Sequence, residues 1–84
     1  MDKEILVDSF YKQIQNLHEV EYGDFKRKLS LYLLRLEQGL TPTSPEVQTL
    51  INEMREFVIY SPDGNIENAR AEVLDTSEKI RDLV

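Results

Sequence analysis

Apolar residues recur along this chain at every third or fourth position, and no stretch alternates apolar with polar side chains as a strand would. A period near 3.6 residues puts such positions on one stripe of an α-helix that faces a core. Breaks fall at Gly23-Asp24, between Gly39 and Pro45, and at Ser61-Pro62-Asp63-Gly64-Asn65. The pattern predicts four helices, at about residues 2–21, 24–38, 45–59 and 66–83.

In the first, Leu6, Phe10, Ile14 and Leu17 form the stripe, with Val7 and Tyr11 widening it. Asp8 and Lys12 stand one turn apart on the other side, the spacing of a weak ion pair. Asp24 is the expected N-cap of the second helix, with one long helix through Gly23 as the alternative. The second helix buries Phe25, Leu29, Tyr32, Leu33 and Leu36, and Gly39 fits the C′ position beyond its end. Leu31 and Leu34 fall on roughly the opposite face, together with Arg27 and Gln38. A helix that is apolar on two faces lies between layers or meets a partner.

The third helix has the clearest start. Ser44 is the N-cap, Pro45 takes N1 where its missing N–H is harmless, and Glu46 favours the positive end of the helix dipole. Val47, Leu50, Ile51, Met54, Phe57 and Val58 follow at helical spacing, and Glu46, Glu53 and Glu56 occupy the outer face. Ser61-Pro62-Asp63-Gly64 suits a type I turn, and Asn65 caps the fourth helix. The stripe of that helix, Ile66, Ala69, Val73, Ile80 and Leu83, is interrupted by Thr76 and Ser77.

Short connections between successive helices make them antiparallel neighbours. The expected fold is all-α, a small up-and-down bundle of about four helices forming one domain over residues 1–84. The alternative is a three-helix array in which the first two helices merge.

Composition narrows the functional classes. With 84 residues the chain has room for one modest core but little room for a deep walled cavity besides. A formal charge of −6 opposes phosphate neutralisation and anionic membrane surfaces, so neither nucleic acid nor membrane is an expected partner. No run approaches the roughly 18 apolar residues of a membrane span. Nor does the amino terminus resemble a secretory signal, which makes a cytoplasmic setting the expectation. The excess charge is uneven: residues 1–42 carry six basic and seven acidic groups, residues 43–84 four and nine. A basic protein partner would find its complement in the second half.

Candidate chemistry is sparse. His18 is the only histidine, and with Glu21 it offers at most two metal ligands, too few for a zinc site. It reads instead as a half-buried residue at the edge of the first helix. Lys26, Arg27 and Lys28 are consecutive, so they point about 100° apart and make no continuous patch. Tyr32 and Arg35 nearby leave room for a small phosphate or acidic-peptide contact. Asp63, Asn65 and Glu67 alternate oxygens as a calcium loop does, but Asn68 and Leu74 stand where that loop needs Gly and Glu. There is no cysteine, and no nucleotide-binding or hydrolase motif.

No catalytic, cofactor-binding or metal-ligating set emerges. The expected function is a small non-enzymatic interaction or regulatory module working through apolar helix faces, with Arg27, Leu31, Leu34 and Gln38 as the candidate interface and a homodimer as one form of it. The alternative is an acidic inhibitor or decoy presenting Glu46, Glu53 and Glu56 to a basic site on another protein.

Overall fold

A computed structural model of the chain describes residues 2–18, 21–60 and 65–84, with the side chain of residue 59 excluded. Four helices, α1 (Lys3–Gln15), α2 (Tyr22–Leu40), α3 (Pro45–Tyr60) and α4 (Ile66–Leu83), run up and down in a bundle. They pack in the cycle α1–α2–α3–α4–α1 around one interior. The expected type I turn before Asn65 lies outside the described residues.

Each helix turns one stripe inward. Val7, Phe10 and Ile14 come from α1; Phe25, Leu29, Leu33, Leu36 and Leu40 from α2; Val47, Ile51, Met54 and Val58 from α3; Ala69, Val73 and Ile80 from α4. Burying one large apolar side chain contributes about 1.5–3 kcal/mol, so this shared interior, more than helix propensity, fixes the four elements.

Two of the three caps, Ser44 and Asn65, follow the sequence, and Asp2, which the pattern placed inside the first helix, caps it instead. The Asp2 carboxylate accepts from Glu4 N–H at 2.9 Å, Ser44 Oγ from Val47 N–H at 3.3 Å, and Asn65 Oδ1 from Asn68 N–H at 3.1 Å. The boundaries of α3 and α4 agree with expectation to within one residue.

The ends of α1 and α2 do not. α1 stops at Gln15, with Asn16 as C-cap, where the periodicity carried it to residue 21. Leu17 is still buried, but its carbonyl is released from the helix and accepts a hydrogen bond from the Arg70 guanidinium of α4. His18 is consequently exposed beyond the helix, not half-buried on its edge.

α2 begins at Tyr22 and not at Asp24. Its N-cap, Glu21, makes no side-chain capping bond, and Gly23 lies inside the first turn. The earlier start lets Phe25 N–H reach the Glu21 carbonyl at 3.0 Å and sets the Asp24 carboxylate 2.8 Å from Arg27. At the other end Gly39 is helical and does not terminate the helix. A Cβ there would lie 2.9 Å from Leu6 Cδ1, so the missing side chain is what allows α1 to approach. One further residue brings Leu40 into complete burial, and Thr41 closes the helix with its N–H and hydroxyl both on the Glu37 carbonyl.

Asp8 does not pair with Lys12 along α1. It reaches across to Arg81 of α4 at 2.5 Å. In α4 the polar interruption of the stripe is itself buried: Thr76 and Ser77 turn inward and donate to the carbonyls of Glu72 and Leu74 at 3.0 and 2.9 Å. Back-bonding of this kind satisfies a hydroxyl inside a helix without a second partner. Leu83, by contrast, is half exposed and not part of the stripe.

Two predictions follow from this packing. Met54→Ala is expected to destabilise the chain by roughly 2–5 kcal/mol. Glu53→Ala, on the outside of the same helix, should stay within about 0.5 kcal/mol of wild type in denaturant unfolding. The two glycines of α2 should also separate. A Cβ at Gly23 meets nothing within 4 Å, and Gly23→Ala should stabilise by about 0.5–1 kcal/mol. Gly39→Ala has the same propensity gain but must displace Leu6, so its thermal midpoint should not rise above that of wild type.

Candidate functional site

The outer face of α2 points away from the core. Leu31 and Leu34 are 45% and 48% exposed, and Arg27 and Gln38, one turn beyond them on either side, are exposed as well. All four candidate interface residues thus lie on one accessible strip. α2 is not sandwiched between layers, because its two neighbours, α1 and α3, take only its inner side.

Leu34 leans toward α3 and lines a groove of about 280 Å³ with Ser30, Leu33, Arg55 and Val58. The groove ends at a polar clamp between the two helices. Arg55 Nη2 donates to Glu37 Oε1 at 2.6 Å, and Gln48 Nε2 donates to Glu37 Oε2 at 3.1 Å. Thr43 Oγ1 donates in turn to Gln48 Oε1 at 2.7 Å. The hydrogen bond from Arg55 is the main cause holding the Glu37 carboxyl below its ordinary pKa, with the Gln48 bond and the Arg55 charge adding to it and partial burial opposing it. The same contact raises the Arg55 guanidinium.

The three candidate acidic residues are all exposed on the outside of α3, Glu46 and Glu53 on its flank toward α4 and Glu56 directly outward. Glu46 lines a broad, shallow depression of about 510 Å³ between α3 and α4, with Leu50, Lys79, Asp82 and Leu83. Farther along the same seam Glu53 and Glu72 flank a narrower cleft floored by Met54, Phe57 and Val73. Glu56 lines neither, because at about 100° per residue it points directly outward from α3. The structure adds Glu72 and Asp82 to Glu46 and Glu53, and none of these four carboxylates has an ion pair among the described residues. Lys79 on this seam pairs with Asp75 at 3.6 Å.

Comparison with protein-family models, curated proteins and solved structures finds no significant match to this chain. Its surfaces carry the functional reading on their own chemistry. The basic residues at the start of α2 are dispersed: Lys26 lies 5.5 Å over the Tyr22 ring, and Arg27 pairs with Asp24. Tyr32 and Arg35 line a small cavity of about 150 Å³ with Leu6, Phe10 and Leu36. Among the described residues no group of three His, Asp or Glu side chains is placed to hold a metal ion, and no helix is long and apolar enough to cross a membrane.

Sequence reasoning missed the α3–α4 depression because no periodicity shows which flank of one helix faces which flank of another. Leu83 carried the available signal: an apolar residue near the end of a helix whose stripe was already thin.

The clamp makes a pH-dependent prediction. Glu37 is depressed in the folded chain, so its contribution is present above the unfolded carboxyl pKa and is lost as pH falls through the lower folded value. Wild type should exceed Glu37→Gln by about 0.5–1 kcal/mol in urea unfolding at neutral pH. The gap should close as the pH is taken below the ordinary glutamate range. A gap that persists in strong acid would assign the effect to packing.

Proposed function

We propose that this chain is a small, non-enzymatic, helical protein–protein interaction or regulatory module that engages another protein through the outer face of α2. The observation that supports it is the exposure of Leu31 and Leu34 beside the groove containing Leu33 and Val58. Two leucines held half in water forgo part of the roughly 1.5–3 kcal/mol that each would contribute when buried, and a partner helix laid along the strip recovers it. Arg27 and Gln38 supply the polar ends that rim such a contact.

The runner-up is an acidic inhibitor or decoy for a basic site. It draws on the exposed carboxylates of Glu46, Glu53 and Glu56, with Glu72 and Asp82 beside the first two on the α3–α4 seam. Salt separates the two, because an apolar contact survives high ionic strength and a charge-led contact does not.

The test is a quantitative pull-down from native cell extract with wild type, Leu34→Glu and Glu56→Ala. Leu34→Glu should remain folded, since the side chain is half exposed, and its circular dichroism should match that of wild type. Proteins retained by wild type and Glu56→Ala in high salt, and lost with Leu34→Glu, are the expected result. Retention that is indifferent to Leu34→Glu would reject this face.

A further inference from the structure

The chain is electrically divided. α2 carries four basic and two acidic side chains, whereas α3 and α4 together carry four basic and eight acidic. The division coincides with two of the surfaces that the bundle leaves open. On α2, Lys28 and Arg35 lie along one flank of the exposed pair Leu31 and Leu34, and Arg27, beside Asp24, lies at one end. On the α3–α4 seam, Glu46, Glu53, Glu72 and Asp82, with Lys79 among them, lie around Leu50 and the half-exposed Leu83. Each has an apolar centre and a charged margin, and the net charges of the margins are opposite in sign. Their lengths agree too, at about 12 Å of helix from Arg27 to Arg35 and about 10 Å from Glu46 to Glu53.

We infer that the α3–α4 seam is a docking site for the outer face of α2 from a second copy of this chain. This rests on the reading of α2 as an interaction face and names its occupant. The contact is head-to-tail, since the surface given and the surface received are different parts of the molecule. A two-fold pairing of α2 with itself is disfavoured by the same charges. Run antiparallel with Leu31 against Leu34, it sets Lys28 of one copy beside Arg35 of the other on the same flank. Run parallel, it stacks Arg27 on Arg27 and Asp24 on Asp24.

A head-to-tail contact leaves a free α2 face at one end and a free seam at the other, so copies add without closing at two. Sedimentation velocity on wild type should therefore show mass that grows with concentration, up to about 1 mM, without stopping at a dimer. Raising the salt several-fold should shift that growth to higher concentration, about tenfold or more.

The decisive experiment uses two variants, each checked for folding by circular dichroism. Leu34→Glu spoils the donor face and leaves the seam. Glu53→Lys with Asp82→Lys spoils the seam and leaves the donor face; Leu83→Lys is the substitute if that pair unfolds. Each alone is expected to be monomeric, and an equimolar mixture should form a one-to-one dimer and nothing larger. A mixture that stays monomeric while wild type halts at a dimer would establish two-fold pairing and overturn the inference. Wild type that is monomeric throughout would also overturn it, while leaving α2 as a face for a foreign protein. If Leu34→Glu assembles as wild type does, and also retains the same proteins in the pull-down, the reading of α2 fails along with it.

Discussion

A ring of four helices has one interior, and each helix can turn only one stripe toward it. Everything else in this bundle follows from how the four sequences meet that constraint. α3 meets it simply, with Val47, Ile51, Met54 and Val58 inside and polar residues outside. α4 has too few apolar residues for its share and fills the gap with Thr76 and Ser77, whose hydroxyls are satisfied by its own carbonyls. α2 has too many. Once Phe25, Leu29, Leu33, Leu36 and Leu40 are inside, no room remains for Leu31 and Leu34. Their exposure is a consequence of geometry, because turning them inward would rotate five buried residues out.

The four seams between neighbouring helices are closed by different means. α4 is held to α1 by Arg81 on Asp8 and by Arg70, which donates to the Leu17 carbonyl and lies over the Phe25 ring at 5.9 Å. α2 is held to α3 by Glu37, Arg55 and Gln48. Between α1 and α2 the contact is steric, Gly39 receiving Leu6. At the α3–α4 seam Glu53 and Glu72 face the same cleft from opposite sides. Like charges so placed oppose close approach, which agrees with the wide depression farther along that seam.

How much of this was legible in the sequence depended on the kind of signal. Single-helix periodicity located all four elements, and cap residues fixed the starts of α3 and α4, because both effects act within one turn of chain. Glycine misled at both ends of α2. Gly23 and Gly39 looked like stops, but a glycine costs a helix only about 1 kcal/mol, less than burial of Leu40 returns. Asp8 was read against Lys12 because only neighbours along one helix are visible in a sequence; its partner lies 73 residues away. The strip at Leu31 and Leu34 was legible because it belongs to one helix. The α3–α4 depression was not, since it exists only once two helices have been set side by side.

That difference bears on what the surplus residues mean. A chain selected for stability alone would gain from replacing Leu31 and Leu34 with good helix formers of lower hydrophobicity, and from placing a cation opposite Glu53 or Glu72. It has done this elsewhere: Glu67 pairs with Arg70 and Asp75 with Lys79 one turn apart, and Asp8 pairs with Arg81 across a seam. The two open surfaces depart from that local economy in complementary ways, one having apolar surface beside excess positive charge and the other apolar surface beside excess negative charge. Retained together on so small a bundle, they support the proposal that a partner surface covers them. What the interior could not accommodate on α2 and what the α3–α4 seam could not neutralise are complementary in sign, the first lying beside a net positive margin and the second beside a net negative one.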